Sequence, residues 1–205
     1  MNNNGFEYVD LGLPSGTKWA TCNVGADKET DYGFYFAFGE TKGYSCFTDA
    51  KAFNWGDYKF SVNGSNAKFS KYNNTDGKKV LDLCDDAAYI HMGGKWHMPT
   101  DEQIRELIKN TENIWVTDYN NSCINGRLFI SKRNDEKLFF PACGLLFAEG
   151  YYGLNKSGHF WSSSVDNYRS DCGRDLWFGT VSISTGKENR TLGLCVRGVF
   201  NTFWI

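Results

Sequence analysis

Proline is nearly missing from this chain: three prolines stand against 22 glycines in 205 residues. That excludes a proline-rich extended arm and leaves Gly, Asn, Asp and Ser to make the chain reversals. No eighteen consecutive apolar residues occur, so no segment reads as a membrane-spanning helix and membrane insertion is not expected. The opening MNNNGFEYVDLGL lacks the charged start and apolar stretch of a secretory signal. The chain is therefore expected to be made in the cytoplasm, with a phage particle or a cell surface as its destination. An excess of either charge is missing too: 22 Lys and Arg meet 24 Asp and Glu, mixed along the sequence, for a net charge of −2. With no basic stripe to meet a phosphate backbone, nucleic acid is not an expected partner.

Paired cysteines are also absent. Cys22, Cys46, Cys84, Cys123, Cys143, Cys172 and Cys195 lie far apart with no CxxC spacing, which fits neither a zinc ribbon nor a small disulfide scaffold. They read as free thiols, mostly buried, of a reducing compartment. There is no GxSxG, HExxH, P-loop or EF-hand pattern. The histidines His91, His97 and His159 are scattered. Asp85 and Asp86 adjoin one another, and successive helical residues do not share a face for acid–base work. No catalytic residue, metal or cofactor is expected.

What the chain does have is aromatic side chains, 17% of all residues, which together with glycine point to many short strands and tight turns. Residues 8–13 and 18–24 read as a hairpin around Pro14-Ser15-Gly16, and 32–40 as a buried extended segment. Residues 41–79 form an irregular insertion pinned by Trp55, Tyr58, Phe60, Phe69 and Tyr72. Two helices are predicted. In KVLDLCDDAAYIHMGG, Val80, Leu83, Ala87 and Ile90 recur at helical steps until Gly93-Gly94. In PTDEQIRELIKNT, Thr100 and Gln103 make a capping box ahead of a stripe of Ile104, Leu107 and Ile108. Later, LFI and LFF flank a turn at Arg133, Asn134, Asp135 and Glu136, and further strands follow at GHFWSSS, DLWFG, TVSIS and LGLCVRGVF. The order predicts one α+β domain spanning 1–205, with two helices packed on small twisted antiparallel β-sheets and the first and last strands adjacent.

Three stretches taken together carry a family resemblance: YVDLGLPSGTKWATCNVGA (8–26), GGKWHMPTDEQIRELI (93–108), and the late series LFFPACG, FWSSS, LWF and RTLGLCVRGV. They resemble the Fibrobacter succinogenes major paralogous domain group, within the C-type-lectin-like folds of the formylglycine-generating-enzyme type. They are also similar to the variable proteins of diversity-generating retroelements. The resemblance spans the chain except for about 41–79 and implies a C-type-lectin-like fold. The Glu-Pro-Asn and Gln-Pro-Asp triplets of calcium-dependent sugar-binding lectins are absent.

The segment DNYRSDCGRD, residues 166–175, carries no aliphatic side chain and Tyr168 as its lone aromatic, yet it stands between two strand-like runs. In the resembling variable proteins this region, about 160–200 here, carries positions diversified through Asn codons. Mutating the first two bases of such a codon never yields Lys, Glu, Gln, Trp or Met. Residues 166–175 fall inside the reachable set, whereas Trp177, Lys187 and Glu188 do not. Alternation turns Leu176, Phe178 and Ile183 inward and Trp177, Thr180 and Ser182 outward. The expected ligand-binding face is thus Asp166, Asn167, Tyr168, Arg169, Ser170, Asp171, Arg174, Asp175, Trp177, Thr180, Ser182, Lys187, Glu188 and Asn189. Its Tyr, Trp and Arg content is that of a recognition surface.

The expected function is non-catalytic, adhesin-like or receptor-binding recognition of a protein or glycan on a cell surface. Two alternatives stand beside it. One is a thiol oxidoreductase of the formylglycine-generating type, which the resemblance would build on copper held by Cys172 and Cys195. The other is a structural module that self-assembles as a homo-oligomer through exposed aromatics.

Overall fold

The computed structural model describes residues 1–45 and 53–201. Strands β1 (Asn2–Asn3), β2 (Phe6–Val9) and β3 (Thr17–Ala20) open the chain. Val9 lies opposite Trp19 across a turn closed by the Gly16 N–H, which donates to the Leu13 carbonyl at 2.8 Å. In the aromatic run that follows, β4 is Tyr35–Phe36, and Ala37 and Phe38 beyond it are also buried. Next come α1 (Ala87–Met92) and α2 (Asp101–Asn110), then β5 (Thr111–Val116), β6 (Gly126–Ser131) and β7 (Lys137–Pro141), which form one antiparallel sheet. A ribbon of β8 (Leu145–Phe147) and β9 (Gly150–Tyr152) leads to the long strands β10 (Gly158–Val165), β11 (Cys172–Phe178) and β12 (Ile183–Asn189). The short strands β13 (Leu194–Cys195) and β14 (Val199–Asn201) come last.

The largest sheet has the order β12-β11-β10-β13-β4, with β10 and β13 parallel. A second runs β1-β2-β3-β14, so the last strand joins the N-terminal strands through β3, Val199 facing Trp19.

The expected α+β, C-type-lectin-like arrangement of two helices on a sheet is overturned. The chain is mostly β, 36% strand and 11% helical, in several small sheets with one half-barrel. α2 has ten residues and α1 only six. α2 itself forms as its sequence predicts: the Thr100 hydroxyl accepts from the Gln103 amide at 3.2 Å, the Gln103 side chain accepts from the Thr100 amide at 2.9 Å, and Ile104 and Leu107 are buried.

The error lies in residues 80–92. Val80, Leu83 and Ile90, read as a buried helical stripe, are 43%, 44% and 51% exposed. Buried there, beside Leu81, Ala87, Ala88 and Met92, are Asp85 and Asp86, and each carboxylate is held by partners that a helix through 80–92 would not present. Asp85 takes ion pairs from Lys59 and Lys71 and a hydrogen bond from the Tyr72 hydroxyl at 2.6 Å. Asp86 caps α1 by accepting from the Tyr89 amide at 2.9 Å and also takes the Met98 amide at 2.8 Å. The chain therefore stays extended or in a 3-10 turn up to Asp86, and a helix begins only at Ala87. Satisfying two buried carboxylates outweighs a weak periodicity.

Within the insertion, residues 53–79 have no helix or strand of their own, and aromatic rings take over the ordering. Trp55, Tyr58, Phe60 and Tyr72 contact one another edge to face, with centroids 5.6, 5.7 and 5.2 Å apart in succession. Residues 46–52 of the predicted insertion lie outside the described residues.

Among the described residues, the guanidinium groups of Arg190 and Arg197 are fully buried and make no ion pair with a carboxylate. Arg197 donates to Asn23 Oδ1 at 2.8 Å and to the carbonyls of Ala20, Thr21 and Phe139, and it lies 4.4 Å over the Phe140 ring. Arg190 donates to the carbonyls of Tyr72 and Cys172 and lies over the Phe69 and Phe38 rings. Burial lowers both, and Arg197, at about 10, stays charged at neutral pH. Carbonyl oxygens and ring faces replace most of the water they lose, Arg190 Nη1 alone of the two groups' buried nitrogens lacking a hydrogen-bond partner.

Burial alone would raise Asp85, but Lys59, Lys71 and Tyr72 hold it down at about 2. A carboxyl depressed in the folded state contributes stability that is full above its unfolded value near pH 4 and is lost as pH falls through the folded value. Urea unfolding of the wild type should therefore weaken between about pH 4 and about pH 2, and Asp85→Asn should be less stable at neutral pH and flatter across that window. Parallel acid profiles for the two proteins would show that Asp85 is not an anchor.

Candidate functional site

Strand β10 pairs with β11 from Gly158 opposite Phe178 to Trp161 opposite Asp175, then shifts register before Val165 meets Gly173. On its other side the 79–81 segment runs along it: the Leu81 amide donates to the Ser163 carbonyl at 2.8 Å and the Val165 amide to the Lys79 carbonyl at 2.9 Å. Beyond Val165 the chain turns on Asp166, which is 5% exposed. Its Oδ1 accepts from the amides of Tyr168 and Arg169 at 2.9 and 2.8 Å, and its Oδ2 takes Arg174 Nη1 at 3.3 Å. Arg174 also reaches Asp101 Oδ1, at the start of α2, and Thr185 Oγ1, each at 3.3 Å. Burial by itself would raise Asp166, but the two amides, Lys187 and Arg174 together keep its carboxyl below the usual range. It is an ionised anchor at neutral pH.

The anchor presents the loop outward. Tyr168 is 92% exposed, and Asn167 takes Lys79 Nζ on its Oδ1 at 3.3 Å. Beside the loop lies a groove of about 500 Å³ lined by Lys79, Asp101, Arg105, Asp166, Tyr168 and Arg174. A smaller one of about 230 Å³, with Asn73, Lys79, Asn167 and Ser170 in its wall, lies on the other side of Asn167. Neither the α2 residues nor Lys79 figured in the sequence-based face. The capping box marks where α2 starts, but no local signal shows which loop its first turn will meet.

The predicted face does not come together as one surface. Asn167, Tyr168, Arg169 and Lys187 are exposed and Ser170, Asp171, Arg174 and Asn189 half-buried. They gather at the end of the β11–β12 hairpin where Cys172 pairs with Asn189. Thr180 and Ser182 are exposed but sit at the other end, beyond the Phe178–Ile183 pair, about 20 Å along the ladder. Arg127 holds that far turn through the carbonyls of Gly179 and Thr180. Trp177 is half-buried, not displayed, and it lies on the opposite face of β11 from Arg174. Ile183 is likewise only half-buried.

Asp175 is 1% exposed and faces away from the groove, toward His159 and the half-buried Glu188. His159 Nδ1 stands 3.4 Å from Asp175 Oδ2 and 3.9 Å from Glu188 Oε1. Burial raises both carboxyls, and the proximity of Asp175 raises Glu188 further.

Cys172 and Cys195 do not meet. Cys195 pairs with Phe160 and Phe160 with Leu176, four residues along β11 from Cys172, about 13 Å away. Burial pushes the Cys172 thiol up to about 11, with Asp171 adding to it. Cys195 is buried beside Cys143, and burial and that neighbour raise it well above an ordinary thiol. Neither is disposed to be a thiolate ligand or nucleophile at neutral pH.

No protein-family model, curated protein or solved structure matches the chain.

Phe178 is fully buried against Phe160, centroids 6.0 Å apart, so Phe178→Ala should cost about 3 to 5 kcal/mol of stability through the cavity it opens. Trp177→Ala, at a half-buried position, should cost clearly less in the same chemical denaturation. Equal losses would place Trp177 in the core.

Proposed function

We propose that this chain is a non-catalytic recognition protein that binds a protein or glycan on a cell surface through the loop 167–170 and the groove beside it. The observation that carries the reading is a polar loop fixed on a buried, ionised aspartate and holding one aromatic ring, Tyr168, almost wholly in solvent. An exposed ring costs favourable burial, and a partner that covers it regains that energy together with directional bonds from Asn167, Lys79 and Arg105. Both charges line the groove, Asp101 and Glu102 against Lys79, Arg105 and Arg174, which suits a polar ligand of modest net charge. Kinship with retroelement variable proteins is part of this reading and rests on the sequence motifs alone. The separation and raised values of Cys172 and Cys195 weigh against the copper-dependent thiol oxidoreductase. Among the exposed aromatics Tyr168 serves a docking partner as well as a second copy, so self-assembly gains no separate support.

The test is binding of the labelled full chain to a panel of intact bacterial cells. Tyr168→Ala should weaken binding by about 2 kcal/mol or more, roughly thirtyfold, with an unchanged thermal midpoint. Loss of binding after periodate treatment of the cells would assign a glycan, and loss after protease treatment a protein. Wild-type binding by Tyr168→Ala would contradict the site.

A further inference from the structure

On the face of the large sheet away from the groove, three side chains from three adjacent strands converge: His159 of β10, Asp175 of β11 and Glu188 of β12. The register explains the meeting. His159 lies opposite Trp177 and therefore diagonal to Asp175, while Asp175 faces Gly186, two residues from Glu188. One donor atom from each lies within 4.8 Å of the others.

The convergence is unusual in what it leaves unsatisfied. Asp175 is 1% exposed, and neither of its carboxylate oxygens accepts a hydrogen bond; His159 Nδ1, also buried, makes none. Buried polar atoms are almost always paired, and an unpaired buried carboxylate is among the costliest groups to keep. An imidazolium proton at 3.4 Å would offset part of one charge, but it would leave Asp175 Oδ1, buried and unpaired, without a partner. A bound cation satisfies all three at once.

The space is also provided for. A Cβ on Gly186 would stand 2.7 Å from Asp175 Oδ1, closer than carbon and oxygen pack. The glycine at that position is what lets the carboxylate lie where it does. The Glu188 side chain is 31% exposed, so the cluster opens to solvent on the β12 side.

We propose that His159, Asp175 and Glu188 bind one divalent transition-metal cation of the zinc class, tying β10, β11 and the edge strand β12 together. One imidazole nitrogen and two carboxylates match a borderline cation, whereas Ca²⁺ and Mg²⁺ favour oxygen ligands throughout. Three protein donors leave a coordination position for water. The site is independent of the recognition loop, since Asp175 and Arg174 point to opposite faces of β11.

The test is calorimetric titration of the full, chelator-treated chain with Zn²⁺, beside thermal melts and Co²⁺ absorption. The wild type should bind one equivalent and melt at a higher temperature with Zn²⁺ present. Co²⁺ should give visible d–d bands without a thiolate charge-transfer band. Glu188→Gln removes a donor at the solvent side, and Gly186→Ala removes none but displaces Asp175. Both should weaken Zn²⁺ binding about tenfold or more, and Glu188→Gln should keep the metal-free melting temperature. Absence of stoichiometric binding, wild-type affinity in Glu188→Gln, or a thiolate band placing the ion on cysteine would each overturn the site.

Discussion

The buried carboxylate of Asp166 determines whether the polar segment between β10 and β11 is a surface or merely a connection. Fixing the three residues that follow it costs roughly 3 to 6 kcal/mol of backbone entropy. Two amides and the Arg174 guanidinium donate to that one carboxylate, and bonds to a charged group contribute about 1.5 to 3 kcal/mol each. The two quantities are of the same size, so the loop can stay ordered without burying any apolar side chain of its own. Arg174 passes the constraint on to Asp101 and Thr185, and so the loop, α2 and β12 hold a fixed relation across the groove.

The scaffold beneath can supply such fixed points because its own polar groups are treated the same way. Arg197 and Arg190 are buried against carbonyls and ring faces, and Asp85 and Asp86 against lysines, a tyrosine and backbone amides. In a fold of short strands joined by long irregular segments, these buried charges do the positioning that long helices would do elsewhere. The rings of residues 53–79 contribute the apolar counterpart. The His159, Asp175 and Glu188 cluster differs in that neither oxygen of its buried carboxylate, Asp175, accepts a hydrogen bond, which is why it reads as a site and not as scaffold.

The sequence made some of this legible and hid the rest for identifiable reasons. The α2 capping box, the two hairpins and the pinning rings were readable because each depends on neighbours in sequence or on simple burial. The helix expected over 80–92 forms only from Ala87, because Asp85 and Asp86 are committed to distant partners, Lys59, Lys71 and Met98, that no window on the local pattern includes. The fold class failed with it, since the expected helix survives only as the six-residue α1 and the chain is mostly β. The exposed loop at 167–170 was legible from composition alone, as a polar stretch between apolar strands. Its groove was not found, because Lys79 and α2 reach it only through tertiary packing. Period-two alternation placed Leu176 and Phe178 correctly and predicted a free Trp177, but a sheet covered in part on both faces leaves that ring half-buried. The metal-type cluster was invisible because its three members come from three strands whose register no single segment encodes.

The most direct test of the account is native-state amide exchange at Tyr168 and Arg169, whose N–H groups donate to Asp166 Oδ1. If the loop is built in advance on that carboxylate, both amides should exchange far more slowly than an unstructured chain. Asp166→Ala should release them while the amides of β11 from Leu176 onward keep their protection. Exchange at the unstructured rate in the wild type, or unchanged protection in Asp166→Ala, would contradict it.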